Sequence, residues 1–207
     1  MDPEILEVLG DYETRNAREE AAFADMTAAD FAARLDEFLL PVGPATGSLL
    51  NLLAREAGAR SILEIGTSYG YSTIWLAEAA RATGGRVDSL ELAAHKIAHA
   101  RRALERAGLS GVVDLHEANA VDWICGGGGR FDFVLLDIWK DLYVPCLDAC
   151  LPRLLPGAIV VADNMLEPKS VRFQAERFRR HVRSIEALDS VLLTVGSGLL
   201  VCRYEGP

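Results

Sequence analysis

From Ser61 onward, short strand-like runs alternate with amphipathic stretches, and that alternation constrains the fold more than any other feature of the chain. The runs are Ser61–Ile65, Arg86–Glu91, Val112–His116, Phe131–Leu136 and Ala158–Ala162. Between them lie helical patterns over Tyr71–Ala82, Ala93–Ala107, Val121–Cys125 and Leu142–Leu155. The second helix places Ile97, Ala100, Leu104 and Ala107 on one face and stops at Gly108. Strand–helix alternation of this kind requires a parallel sheet covered by helices on both sides. After Asn164 the pattern changes: a polar helix over Ser170–Val182 precedes two runs, Ala187–Val195 and Leu199–Tyr204. The connection between them, Gly196-Ser197-Gly198, is too short for a crossover, so the runs are expected to pair antiparallel at the sheet edge. The expectation is an α/β, doubly wound, Rossmann-like sheet of about seven strands with the last pair antiparallel, preceded by helices.

A chain of 207 residues, 50% of them apolar, can bury one good-sized core. A single domain over 1–207 is therefore expected, with an N-terminal helical cap (1–43) and a Rossmann-like core (44–207). In the first forty residues Gly10 is the one glycine, and helix is expected; Thr27 is an N-cap with Asp30 three residues on. Phe31, Leu35 and Phe38 recur at helical spacing, Pro41 to Pro44 breaks the pattern, and a further helix covers Ala45–Ala57. The formal net charge of −9, with Lys and Arg interleaved among acids, argues against nucleic acid as a partner. No apolar run reaches the roughly 18–20 residues needed to span a bilayer, and no signal-like segment follows the acidic N-terminus. A cytoplasmic protein with no membrane partner is expected. Cys125, Cys146, Cys150 and Cys202 show no CxxC spacing, and Cys146 and Cys150 share a helix face, as buried small residues do.

The run Ser61–Ile65 leads into Glu64-Ile65-Gly66-Thr67-Ser68-Tyr69-Gly70-Tyr71-Ser72. Strand, E-x-G-x-x-x-G, then helix is a tight turn whose glycines let the backbone approach a ligand closely. A dinucleotide fingerprint needs G-x-G-x-x-G, and Thr67 and Ser68 stand where its second glycine would fall. The spacing therefore points to S-adenosylmethionine (SAM) rather than a nicotinamide dinucleotide. Glu91 ends the next strand, where a carboxylate can take both ribose hydroxyls; this supports a nucleoside without choosing between the two. The bland alternative is a βα turn with no ligand. Gly126–Gly129 precedes a strand and lacks a following Lys-Ser/Thr, so it reads as a surface connection and not a P-loop.

Two further strands end in hard oxygen donors: Asp137 after Phe131–Leu136, and Asp163-Asn164 after Ala158–Ala162. Ligands of open α/β sheets lie beyond these carboxyl ends, and three protein oxygens leave positions open on an octahedral ion such as Mg²⁺ or another divalent cation. Lys140, one short step past Asp137, could reach an oxygen bound there and act as its base. The alternative is that Asp163-Asn164 caps a turn and Asp137 touches only the cofactor's amino group. His95 and His99, four apart on a helix, have zinc-compatible spacing, but Lys96, Arg101 and Arg102 around them suit a solvated face. His116 and His181 have no partners legible in the sequence, and no Ser-His-Asp or cysteine-nucleophile arrangement is present.

At Leu63-Glu64-Ile65-Gly66 with Gly70-Tyr71-Ser72, at Asp137-x-Trp139-Lys140-Asp141-x-Tyr143 and at Ala162-Asp163-Asn164, the chain resembles the cation-dependent O-methyltransferases of the catechol and caffeoyl-CoA type. The resemblance runs from about Pro41 to Asn164 and implies the class I methyltransferase fold. It implies cofactor contacts at Val42, Glu64, Gly66, Ser72 and Glu91, with Ala120 near the adenine; Ser68, Gly70 and Asp137 belong to the same cofactor set by position. It implies a divalent cation on Asp137, Asp163 and Asn164, Lys140 as catalytic base, and Phe38, Leu40, Trp139 and Pro168 as walls of a flat aromatic slot. Several positions depart from the family pattern. Ile138 replaces a histidine, Ser68 stands for a tyrosine, Gly196-Ser197-Gly198 lacks the acid of the plant turn, and a late substrate-binding glutamate has no counterpart in the sequence. The implied activity is SAM-dependent methylation of a catechol-like aromatic diol, with a homodimer compatible with the sequence. A metal-independent small-molecule methyltransferase and a non-catalytic SAM-binding protein are the alternatives.

Overall fold

The computed structural model describes residues 1–206. Its strands are β1 (Ser61–Ile65), β2 (Arg86–Glu91), β3 (Val113–Glu117), β4 (Phe131–Leu136), β5 (Leu154–Ala162), β6 (Leu188–Leu193) and β7 (Leu199–Tyr204). They form one sheet in the order β3-β2-β1-β4-β5-β7-β6. The first five strands are parallel, and β7 runs antiparallel to both of its neighbours. The helices are α1 (Pro3–Phe23), α2 (Ala28–Ala33), α3 (Pro44–Glu56), α4 (Tyr71–Thr83), α5 (Ala94–Arg106), α6 (Ala120–Cys125), α7 (Tyr143–Cys150) and α8 (Arg172–Arg183). No helix of the described residues is long and apolar enough to cross a membrane.

Register explains where a site can form. Ile65 lies opposite Leu90 on β2 and Leu136 on β4, and Leu136 lies opposite Ala162 on β5. The residues that follow are Gly66, Glu91, Asp137 and Asp163, so all four leave the sheet at one level. The ladder continues one step beyond the strands: Gly66 N–H donates to Leu90 O (3.0 Å), Asp137 N–H to Ile65 O (2.9 Å) and Asp163 N–H to Leu136 O (3.1 Å). Strand order reverses direction between β1 and β4, the crevice where open α/β sheets take their ligands.

Side chains alternate between two apolar layers, as the two-residue strand period demands. Ile62, Phe133 and Leu135 pack with Ile5, Leu9, Leu50 and Leu76 on one face. Leu63, Val134 and Leu136 pack with Ile124, Leu147, Phe178 and Val182 on the other.

The structure differs from the sequence expectations in four places. The helix expected over Leu142–Leu155 ends at Cys150, because Pro152 cannot continue it; a 3₁₀ turn (Leu151–Arg153) follows, and β5 starts four residues early at Leu154. Pro156 and Gly157 (φ 85°) fall where β5 slips register against β4. Thr27 caps α2 as expected, accepting Asp30 N–H at 3.1 Å, but the helix stops at Ala33 and a 3₁₀ turn (Leu35–Glu37) takes over. Phe31 and Phe38 therefore do not share a helix face; they stack at 5.5 Å and meet Phe23 at 5.0 and 4.8 Å. The pair β6–β7 lies at the edge as expected, with β7 inserted between β5 and β6 so that β6 alone is the border. Finally, the basic residues are not evenly interleaved: α8 holds five arginines and one glutamate.

The turn between β6 and β7 is bonded to the loop after β5. Met165 N–H donates to Gly198 O (2.9 Å), while Leu166 and Glu167 N–H both donate to Ser197 O (2.9 and 3.0 Å). Gly198 has φ +90°, and a Cβ there would lie 2.5 Å from the Leu166 side chain, so glycine is required on both counts.

Candidate active site

The turn after β1 is built on a buried carboxylate. Glu64, fully buried, accepts the hydroxyls of Ser72 (2.5 Å), Thr73 (2.6 Å) and Ser89 (2.5 Å), which joins β1 to α4 and β2. Burial pushes its pKa up to about 7 against the pull of the three hydroxyls, and the nearby Asp137 charge adds to the rise. The glycines of this turn also serve packing, a role the spacing alone does not reveal. At Gly66 (φ +106°) a Cβ would lie 2.0 Å from the Asp137 carbonyl oxygen, and at Gly70 (φ +99°) 2.8 Å from Ala100 Cβ. Gly66→Ala is therefore expected to cost at least ~2 kcal/mol, read as a lowered urea midpoint at unchanged m-value; an unchanged midpoint would show that β1 and β4 can separate here.

Ser68 adopts a left-handed backbone (φ 47°), and its N–H donates to Glu91 Oε2 at 2.9 Å. Glu91 Oε1 accepts Leu92 N–H (2.8 Å) and Ala93 N–H (3.0 Å), so three amides fix the carboxylate at the end of β2. A small cleft opens beside this turn, lined by Leu39, Leu40, Pro41, Val42, Gly66, Ser68, Ser72 and Asp137 among others. It brings together Val42, Gly66, Ser68, Ser72 and Asp137 of the expected cofactor set. Glu64 lies buried beneath it, Gly70 packs away from it against Ala100, and Glu91 and Ala120 lie outside its lining. Ala120 opens α6 behind the N-cap Asn119.

Beyond β4 and β5 the structure assembles Lys140 and Asn164. Lys140 Nζ donates to Tyr143 Oη (2.6 Å), Asn164 Oδ1 (3.0 Å) and Ile138 O (3.2 Å). Tyr143 Oη in turn donates to Asp163 O at 3.3 Å. Burial lowers the Lys140 pKa from the ordinary lysine value, with the Asp137 and Asp163 charges opposing. Burial raises both aspartates; the Asp137 charge raises Asp163 further, and Lys140 offsets only part of the rise at each. Asp163 Oδ1 is buried and has no hydrogen-bond partner, and Asn164 takes a left-handed backbone (φ 54°) that turns the chain at this point. An orphaned carboxylate oxygen beside a second carboxylate and an amide oxygen is a hard-donor set with room for a cation's charge. Among the described residues no group of three or more His, Cys, Asp or Glu side chains is placed to hold a metal ion, which leaves this set with two carboxylates and relies on Asn164 for the third oxygen.

Of the expected slot walls, Leu40 (φ 43°, 48% exposed) stands at the cleft, while Trp139 is 66% exposed and Pro168 is exposed. Phe38 is 5% exposed and turned into the aromatic cluster of Phe23 and Phe31. Sequence reasoning gave Tyr143, quoted in the Asp137–Tyr143 motif, no role, although the three-residue step from Lys140 to Tyr143 was the available signal, and it missed Thr73 and Ser89 under Glu64. It also left the histidines without partners. His116 Nε2 meets Asp88 at 2.7 Å and His181 Nε2 meets Asp148 at 2.6 Å, whereas His95 lies 3.5 Å from Asp36 on the solvated face expected. The cysteines are free, with Cys146, Cys150 and Cys202 buried and Cys125 exposed; burial raises the Cys146 thiol to about 11.

A family model described as O-methyltransferase matches residues 15–205. The chain is 33% identical over 180 residues to a catechol O-methyltransferase of Niastella koreensis, covering 81% of this chain and 80% of that protein. Among solved structures, the O-methyltransferase from Bacillus cereus in complex with SAH superposes with a TM-score of 0.76 at 29% identity, covering 99% of this chain and 91% of the other. TomG from Streptomyces achromogenes, an O-methyltransferase solved in complex with SAM, superposes with a TM-score of 0.77 at 28% identity, covering 100% and 91%. The level ends of β1, β2, β4 and β5, the cleft beside the first turn and a match along nearly the whole length place this chain in the S-adenosylmethionine-dependent O-methyltransferase family.

Proposed function

We propose that the protein transfers the SAM methyl group to one hydroxyl of a catechol-like aromatic diol with the help of a divalent cation. In this reading, residues 1–43 form a cap on a single catalytic unit whose core is 44–207. The observation that carries the metal is the orphaned Asp163 Oδ1, buried beside Asp137 and Asn164 with too little positive charge to balance it. The resemblance in sequence to a catechol O-methyltransferase supports the acceptor class.

SAM supplies the electrophilic methyl, and a divalent ion on Asp137, Asp163 and Asn164 would lower the pKa of two adjacent acceptor hydroxyls. The chain's own residues do the rest. Gly66, Ser68 and Ser72 line the cofactor cleft, and Glu91, held by three amides, presents its remaining lone pairs to the ribose. Leu40, Trp139 and Pro168 offer flat apolar surface to an aromatic ring. Lys140, partly desolvated and oriented by Tyr143 and Asn164, takes the acceptor's proton, so that the phenolate oxygen can attack the methyl in line.

Glu91→Ala is expected to weaken SAM binding by ~1.5–3 kcal/mol, the scale of a lost charged hydrogen bond, as read by calorimetry; unchanged affinity would remove Glu91 from the cofactor site. The reading as a whole is tested by screening catechol and hydroxycinnamoyl acceptors with SAM, with and without EDTA. Methylation of a catechol that EDTA abolishes reversibly is expected. Full activity in EDTA would make the oxygen cluster structural, and methylation confined to a carboxylate or an amine would overturn the acceptor.

A further inference from the structure

α8 is out of character with the chain that carries it. The protein has a formal net charge of −9, yet this helix holds five arginines and one glutamate. Ala175, Phe178 and Val182 turn inward, and His181 is tied to Asp148 at the flank. At 100° per residue the opposite face gathers Arg172, Arg177, Arg180 and Arg183, with Glu176 among them, into one stripe roughly 17 Å long, and Lys169 lies in the 3₁₀ turn just before it. Glu176 balances only its immediate neighbours, Arg179 (3.3 Å) and Arg183 (2.9 Å). Among the described residues Lys169, Arg172, Arg177 and Arg180 form no ion pair, so their charge is uncommitted within the fold.

The stripe ends in exposed aromatic surface. Phe173, in the first turn of α8, is 73% exposed. α8 packs against the 3₁₀ turn Lys140–Leu142, in which Leu142 is 37% exposed, and Trp139, 66% exposed, immediately precedes that turn. Large apolar side chains beside a row of free cations meet the two requirements of an interfacial surface: electrostatic attraction to anionic headgroups and aromatic rings that settle at the headgroup level. An acidic protein would match the stripe but leave the rings unaccounted for. A nucleic acid would match the stripe but offer the rings no apolar layer to enter.

We propose that the exposed face of α8, together with Phe173 and Trp139, docks the protein on an anionic phospholipid bilayer, with the acceptor side of the active site toward the lipid. Only the orientation of the acceptor side rests on the functional reading above; docking itself is measured without turnover. The probes are vesicles of phosphatidylcholine alone and vesicles containing roughly one-third phosphatidylserine. Co-sedimentation is expected with the anionic vesicles and not the neutral ones, and it should disappear at about 0.5 M salt, where screening is nearly complete. Arg177→Glu/Arg180→Glu should lower the partition coefficient at least ~tenfold while leaving the circular dichroism spectrum and the turnover of a water-soluble acceptor unchanged. Brominated lipid in the anionic vesicles should quench tryptophan fluorescence, and Trp139→Phe should remove most of that quenching. Absence of binding to anionic vesicles, equal binding by the double variant, or capture by soluble polyglutamate in place of vesicles would each overturn the proposal.

Discussion

Lys140→Ala is expected to lower kcat by ~10²–10⁴-fold while leaving SAM affinity nearly unchanged, the loss proper to a general base rather than a binding group. The pH profile carries the stronger test. Only unprotonated Nζ can accept a proton, so wild-type activity should climb with pH as the amine deprotonates. Burial holds Nζ below the ordinary lysine value, which brings that climb to lower pH than a solvated lysine would show. In the variant the acceptor hydroxyl must ionise unaided, so the deficit should shrink as pH rises. Lys140 also satisfies Tyr143, Asn164 and the Ile138 carbonyl, and its removal will loosen their packing. A loss caused by that loosening alone would be equal at every pH, and such a flat deficit would exclude Lys140 as the base.

Asp163→Asn should abolish or greatly slow turnover and at the same time make the cation-free protein more resistant to unfolding under alkaline conditions. The sign follows from burial. The folded state raises the Asp163 pKa above its ordinary value of 3.8, so in the fold it is the ionised form that is disfavoured. That penalty is absent while the side chain is protonated in both states. It grows as pH rises past the unfolded value and persists above the folded one. Asparagine does not ionise and escapes it. A divalent ion should offset the same penalty in the wild type: at about ten times its Kd it adds ~1.4 kcal/mol, or roughly 3–6 °C in Tm for a chain of this size. Differential scanning fluorimetry with and without magnesium, at neutral and alkaline pH, reads both effects. A variant whose Tm still rises with magnesium as in wild type would show that Asp163 is not a cation ligand, and one less stable than wild type at alkaline pH would show that ionised Asp163 carries no net burial penalty.

Much of the sheet was legible because buried parallel strands carry their own signature: Ser61–Ile65 and Phe131–Leu136 have the bounds expected from their apolar runs. The ends of β5 and α7 were not, since an apolar stretch interrupted by Pro152, Pro156 and Gly157 does not say which residues continue a helix and which begin a strand. The cap was obscured for a related reason. Phe31 and Phe38 keep helical spacing in sequence, but they stack through a tertiary cluster with Phe23. At the site, the strand-end acids and Lys140 were visible as residue types at strand ends. What the sequence could not show was the coupling between them, because Tyr143 meets Asp163 and Lys140 meets Asn164 only through β4–β5 pairing. The concentration of arginine on α8 escaped notice because charge summed along a chain hides charge gathered on one face of one helix.

The bonds between the β6–β7 turn and the loop after β5 bear on the order in which the polypeptide is made. Every residue assigned to the cofactor, the cation or the acceptor lies at or before Pro168, so a nascent chain stopped at Gly196 already contains them all. It lacks, however, the amide acceptors on Ser197 and Gly198 that hold Met165, Leu166 and Glu167, and it lacks the strand that covers β5 through Ile159–Ala162. On the ribosome, then, Asp163 and Asn164 can already meet Leu136, Tyr143 and Lys140, whereas Met165, Leu166 and Glu167 wait for Ser197 and Gly198. A message truncated at Gly196 should yield a protein with the cofactor turn formed and the loop after Asn164 unfastened.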